Sequence, residues 1–186
     1  MAKVGNNILT HGLSGMVGDL IVFRQRDGKT IVSSKPEHHG PMSEAQLQHI
    51  QKFQEAVIYA KSVLGDPEKR DAYKHAAKQG QSAYNVALAD FLKAPHIEEI
   101  DVSGYNGQPG SRIRVRAVDD FKVAEVSVVI QDADGKELEH GKAECTVNGL
   151  DWIYTTTVLN DHLTDDKIIV RVSDTPGHLV ESSKVI

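Results

Sequence analysis

Hydrophobic positions follow three rhythms along this chain. Up to Pro41 there are short apolar clusters broken by glycine. From Ser43 to Pro95 apolar residues recur every three or four positions, and after Pro95 they alternate with polar ones. These rhythms belong in turn to turns with a hairpin, to amphipathic helices, and to half-buried strands.

In the first region Gly5, Gly12, Gly15 and Gly18 read as turns feeding a strand. Ile21 and Phe23 then share one strand face, Asp27-Gly28 is a favoured two-residue hairpin turn, and β-branched Thr30, Ile31 and Val32 make the return strand. Pro36 and Pro41 close the region. Ser43-Glu44-Ala45-Gln46 is a capping box, and Leu47, Ile50, Phe53, Val57, Ala60 and Leu64 form one apolar stripe on a long helix ended by Gly65. Asp66 caps a second helix with Pro67 at its first position, and Gly80 stops it. A third helix spans about Ser82 to Lys93, with Tyr84, Ala87, Leu88 and Phe91 inward. Short loops predict antiparallel packing of the three.

Beyond Pro95, Ile113, Val115 and Ala117 share a face, as do Ala124, Val126, Val128 and Ile130, then Trp152, Tyr154, Thr156 and Val158. Counting the segment near Ile97–Val102, the return from the Asp134-Gly135 turn, and two C-terminal segments, the region predicts about seven short strands. That pattern is an antiparallel β-sandwich of immunoglobulin type. The fold class is therefore α+β, with a hairpin and helical domain over 1–95 and a sandwich domain over 96–186.

Composition adds direction. Residues 1–95 hold 12 Lys/Arg against 9 Asp/Glu, a net +3, whereas residues 96–186 hold 9 against 17, a net −8. A basic half joined to an acidic half favours contact between copies. No apolar run reaches the ~18 residues of a membrane span. The N-terminus lacks an unbroken apolar stretch, so cytoplasmic residence is the default expectation, with release in a virion or by non-classical export left open. The single cysteine, Cys145, excludes an intrachain disulfide and reads as a core or half-buried thiol.

Candidate chemistry is sparse. The nine histidines show no ligand spacing on one helix, and His38-His39 offers at most a weak metal contact. Asp119-Asp120, Asp132 with Asp134, Asp165-Asp166 and Asp174 are better explained by turns and polar loops than by calcium. No GxSxG elbow is present. Neither a metal, a cofactor nor an enzymatic activity is expected. Two basic features remain as candidate anion-binding sites. Arg112, Arg114 and Arg116 share one strand face, where cross-strand acids such as Glu125, Glu137 or Glu139 are the expected partners. Arg24, Arg26 and Lys29 surround the hairpin tip. Trp152 and Tyr154 share a face, so both are buried or both form an exposed platform for a glycan.

The run "HGLSGMVGDLIVFRQRDGKTIVSSKP", followed by "SEAQLQHIQKFQEAVIYAKSVL", resembles a group of small uncharacterised bacterial proteins. They share a glycine-rich start, a hairpin with an Arg-x-Gly-Lys-like tip, a Lys-Pro exit and a helix opening with Thr/Ser-Glu-Ala-Gln. "DDFKVAEVSVVI" with "DTPGH" is similar to segments of bacterial immunoglobulin-like modules. The resemblance implies a two-part architecture without enzymatic activity, and assigns no site residue.

A lone hairpin is marginal in water and must lie on another surface. The leading expectation is a non-enzymatic structural or assembly protein forming a homo-oligomer or filament. Self-association would run through Leu20, Ile21, Val22, Phe23, Thr30, Ile31 and Val32, with the sandwich displayed. The alternative is a binding module, with the basic hairpin on nucleic acid or the sandwich on a glycan.

Overall fold

A computed structural model describes residues 2–4, 10, 12–35 and 40–186. Gly5, His11, Pro36, His38 and His39 lie outside the described residues. The chain divides into two compact units, 1–44 and 45–186, so by contacts the helices group with the sandwich and not with the hairpin.

The first unit is a four-stranded antiparallel sheet of β1 (Ala2–Val4), β2 (Gly15–Val17), β3 (Ile21–Arg26) and β4 (Lys29–Ser34), in the order β1-β4-β3-β2. Asp27 and Gly28 take φ of 51° and 71°, as the tight β3–β4 turn requires. The expected hairpin forms, and further strands flank it. Part of the glycine-rich leader, expected to be turns, folds back as β1 and β2, which pair with β4 and β3. Gly15 and Gly18, at φ of 113° and 56°, allow the reversal that brings β2 against β3. The backbones of Ile21–Phe23 and Thr30–Val32 are therefore paired within their own chain, and the open rims belong to β1 and β2.

In the second unit, α1 (Glu44–Gly65) precedes α2 (Pro67–Ala76) and α3 (Ala83–Leu92). The Asp66 side chain accepts from the Glu68 and Lys69 amides, and Ser82 from Asn85. The Asp66 cap forms where the sequence placed it, and Ser82 adds a second one. The apolar stripe on α1 is only partly used. Ala56, Ala60 and Val63 are buried, whereas Leu47, Ile50, Phe53 and Leu64 are exposed. Length supplies a reason: 22 residues of α1 span about 33 Å, and the ten-residue helices α2 and α3 about 15 Å each.

Two four-stranded antiparallel sheets follow. One has the order β5 (His96–Asp101), β6 (Arg112–Val118), β10 (Asp151–Thr155), β9 (Glu144–Cys145). The other runs β12 (Leu179–Val185), β11 (Lys167–Asp174), β7 (Val123–Gln131), β8 (Glu137–Lys142). Read in chain order these are A-B-E-D facing G-F-C with one added strand, the strand order of an immunoglobulin-type sandwich. Ile113, Val115 and Ala117 from one sheet meet Val126, Val128, Ile130, Ile168, Val170 and Val172 from the other in a single core. Trp152 and Tyr154 are both buried there, which removes the exposed aromatic platform on which a glycan surface depended. Within the expected inward sets, Ala124 and Val158 prove exposed, and Val123 turns inward in place of Ala124. Cys145 is exposed, contrary to expectation, because two-residue β9 is the rim of its sheet.

Candidate functional site

Three places concentrate interacting or polar side chains: the N-terminal sheet, the arginine strand and the helix–loop junction of the second unit.

Cross-strand register sorts the N-terminal sheet into two faces. Val22, Arg24 and Arg26 stand with Ser33, Ile31 and Lys29, and Ile21, Phe23 and Gln25 with Ser34, Val32 and Thr30. Thr30 is buried, and Gln25 Nε2 donates both to its Oγ1 and to the Leu13 carbonyl, each at 2.8 Å. Lys35 pairs with Asp19 at 3.0 Å. Arg24, Arg26 and Lys29 are exposed and have no carboxylate partner among the described residues. Beside this charge lies apolar surface: Leu13, Met16, Val17, Leu20 and Ile21 are 40–77% exposed. Val22, Phe23, Ile31 and Val32 are half-buried.

On β6 the arginines share a face as predicted, but their partners differ. Arg116 makes two hydrogen bonds to Asp151, at 2.8 and 3.0 Å, and Arg114 reaches Glu99, Asp101 and Asp151 at 3.1 to 3.4 Å. The neighbours of β6 are β5 and β10, which carry these acids. Glu125, Glu137 and Glu139 belong to the opposite sheet. The Arg116 and Asn148 hydrogen bonds hold the Asp151 carboxyl well below the usual range, and the Ser103 and Arg114 contacts bring Asp101 down to about 2. Two of the three arginines are thus already matched by carboxylates, and Arg112 is exposed.

The third place was not visible in the sequence pattern. Helix α3, expected to turn only Tyr84, Ala87, Leu88 and Phe91 inward, also buries Asp90 completely. Tyr73 donates to Asp90 Oδ2 at 2.5 Å, and the Tyr59 hydroxyl lies 2.8 Å from the Tyr73 hydroxyl. Burial pushes the Asp90 carboxyl up to about 7, with further upward pressure from the charges of Asp119 and Asp174. Both tyrosine hydroxyls are also pushed up, first by burial. Around this network Tyr73 stacks on Phe121 with ring centroids 4.0 Å apart, and Phe91 meets the His178 ring at 5.4 Å. His178 Nδ1 lies 2.6 Å from Asp174 Oδ2, and Asp174 Oδ1 accepts from the Gly177 and His178 amides. Asp119–Phe121 sit between β6 and β7, and Asp174–His178 at the turn from β11 to β12. These are the loops that serve as binding loops in variable immunoglobulin domains. Here the chain's own helices occupy them.

Among the described residues no group of three or more His, Cys, Asp or Glu is arranged to hold a metal ion. Among them, too, no helix is long and apolar enough to cross a membrane.

No family model and no curated protein matches the chain. Among solved structures it is similar to CopC from Methylosinus trichosporium OB3b, at 20% identity over 48% of this chain and 87% of CopC, with a TM-score of 0.36. It is also similar to an engineered protein, at 13% identity over 59% of this chain and 30% of the other, with a TM-score of 0.35. Likeness this distant carries no functional argument.

Proposed function

We propose that this chain is a non-enzymatic assembly subunit that self-associates through its N-terminal sheet and displays its sandwich. The observation that carries the reading is the apolar surface of that sheet. A sheet buries its apolar face against a second layer, and the described residues of the first unit form strands, with no helix among them before α1 begins at Glu44. Leu13, Met16, Val17, Leu20 and Ile21 are left in water. Register puts Val17, Ile21, Phe23 and Val32 on one face of the sheet, and exposed apolar surface of this kind marks interaction sites. Met16, Val22 and Ile31 lie on the other face beside the cations, and the short strands β1 and β2 offer open rims for strand addition.

The test is mass in solution across a concentration series, for the natural chain and for Leu20→Asp combined with Val17→Lys. The natural chain is expected to gain mass with concentration and the double variant to remain a monomer. A natural chain that stays monomeric at high concentration would refute the proposal.

A second reading rests on Arg24, Arg26 and Lys29, three exposed cations without acid partners among the described residues. On this reading the sheet contacts a polyanion such as nucleic acid. Binding would then weaken steeply with salt, by roughly one power of salt concentration per phosphate contact. Titration with single- and double-stranded DNA at two salt concentrations distinguishes the readings.

A further inference from the structure

We propose that Asp90 donates a hydrogen bond to Asp119, so that one shared proton latches α3 to the loop between β6 and β7. Counting donors and acceptors leads there. Asp90 Oδ1 and Asp119 Oδ1 are both buried and have no hydrogen-bond partner of the ordinary kind. Yet the two side chains lie within hydrogen-bonding reach of one another. Two ionised carboxylates placed so would repel and leave both oxygens unsatisfied, an expensive state in the interior. A single proton satisfies both atoms at once.

The remaining partners say where the proton sits. Asp119 Oδ2 accepts from the Phe121 and Lys122 amides at 3.3 and 2.9 Å, which fixes this carboxyl as the accepting side. Asp90 Oδ2 already accepts from Tyr73, which leaves Asp90 Oδ1 to carry the hydrogen. Because Tyr73 gives its hydrogen to Asp90, Tyr59 must give its own to Tyr73. The result is one directed chain from Tyr59 through Tyr73 and Asp90 to Asp119, anchored on two backbone amides. It joins all three helices to the sandwich.

The other charged groups near the latch leave its sign intact. Asp174, whose side chain is fully buried, disfavours a second negative charge on Asp90 and is itself held by His178. Lys93 is engaged by Asp120. A cavity of about 290 Å³, lined among others by Lys78, Gln81, Asp90 and Phe121, gives the proton a route out. The folded-state value for Asp90, about 7, lies above the ordinary 3.8. The folded chain therefore binds the extra proton between these values. Its stabilising effect is complete below the lower value and is lost as pH rises through the higher one.

The experiment is a carbon NMR titration of the aspartate carboxyls in the full chain, with α3 amide exchange followed in parallel. Asp90 is expected to titrate near neutrality. Amide exchange in α3 should accelerate beyond the intrinsic rate as pH rises toward that midpoint, by up to tenfold per pH unit. Titration of Asp90 near the ordinary aspartate value of about 4 overturns the proposal. Asp90→Asn supplies the decisive variant, since its amide can donate to Asp119 while its carbonyl accepts from Tyr73. It should flatten the pH dependence of α3 exchange, and a decline equal to that of the natural chain would also overturn the proposal. If this variant does not fold, the titration of the natural chain decides alone.

Discussion

The two sheets of the sandwich and the N-terminal sheet are built from the same β-branched alphabet, yet they solve the same problem differently. In the sandwich, Ile113, Val115, Val128, Ile168, Val170 and Val172 are fully buried between two layers. In the N-terminal sheet Thr30 is buried, but Val22, Phe23, Ile31 and Val32 are only half-buried, and Leu20 beside it remains 77% exposed. The sandwich closes a two-layer core, with Leu179 and Val185 left exposed on its edge strand, whereas the N-terminal sheet leaves most of its apolar side chains uncovered among the described residues. On the proposed reading, that difference separates a scaffold from a contact surface.

The contrast can be broken by truncating one side chain in each region. Ile168→Ala should cost about 2–5 kcal/mol, the usual range for emptying a closed core, as read by denaturant unfolding. Phe23→Ala should cost less, about 1 kcal/mol, in dilute solution. Its effect should grow with protein concentration if a neighbouring copy covers that face. Equal, concentration-independent losses at both positions would show that the N-terminal sheet is as closed as the sandwich.

The smallest effect is expected at the arginine strand. Asp101 and Asp151 have folded-state values below the ordinary 3.8. Their contribution is therefore present above that value and is lost as pH falls through the depressed values. Asp101→Asn should slightly flatten the fall in stability between roughly pH 4 and 2 and lower neutral stability by the same small amount, as exposed ion pairs contribute little. A large loss at neutral pH would mean that the pairing organises more than the strand surface.

Sequence patterning reads well where the cause is local. The Asp66-Pro67 helix start, the Asp27-Gly28 turn and the alternation on β6 each depend on a few neighbouring residues, and each forms in the structure. The pattern fails where the cause is distant. Leu47, Ile50 and Phe53 look like a core face, because amphipathicity shows that a face is apolar without showing what covers it. The short strands β1 and β2 hide in a glycine-rich leader, since three-residue strands carry almost no alternation to detect. Asp90 gave no signal at all. A carboxylate between apolar neighbours on a helix reads as the solvent side until a loop some thirty residues further on is known to supply its partner. Of the candidate residues, the hairpin cations keep the exposure expected of them, but Arg114 and Arg116 find acids on strands that only the sheet order reveals.

The central claim is that the surface around Leu13–Phe23 is covered by a second copy, and hydrogen exchange at two protein concentrations tests it most directly. The account predicts that amides in residues 13–23 exchange quickly when dilute and become protected when concentrated, while the sandwich strands stay protected throughout. Exchange in that segment that is identical at both concentrations would contradict it.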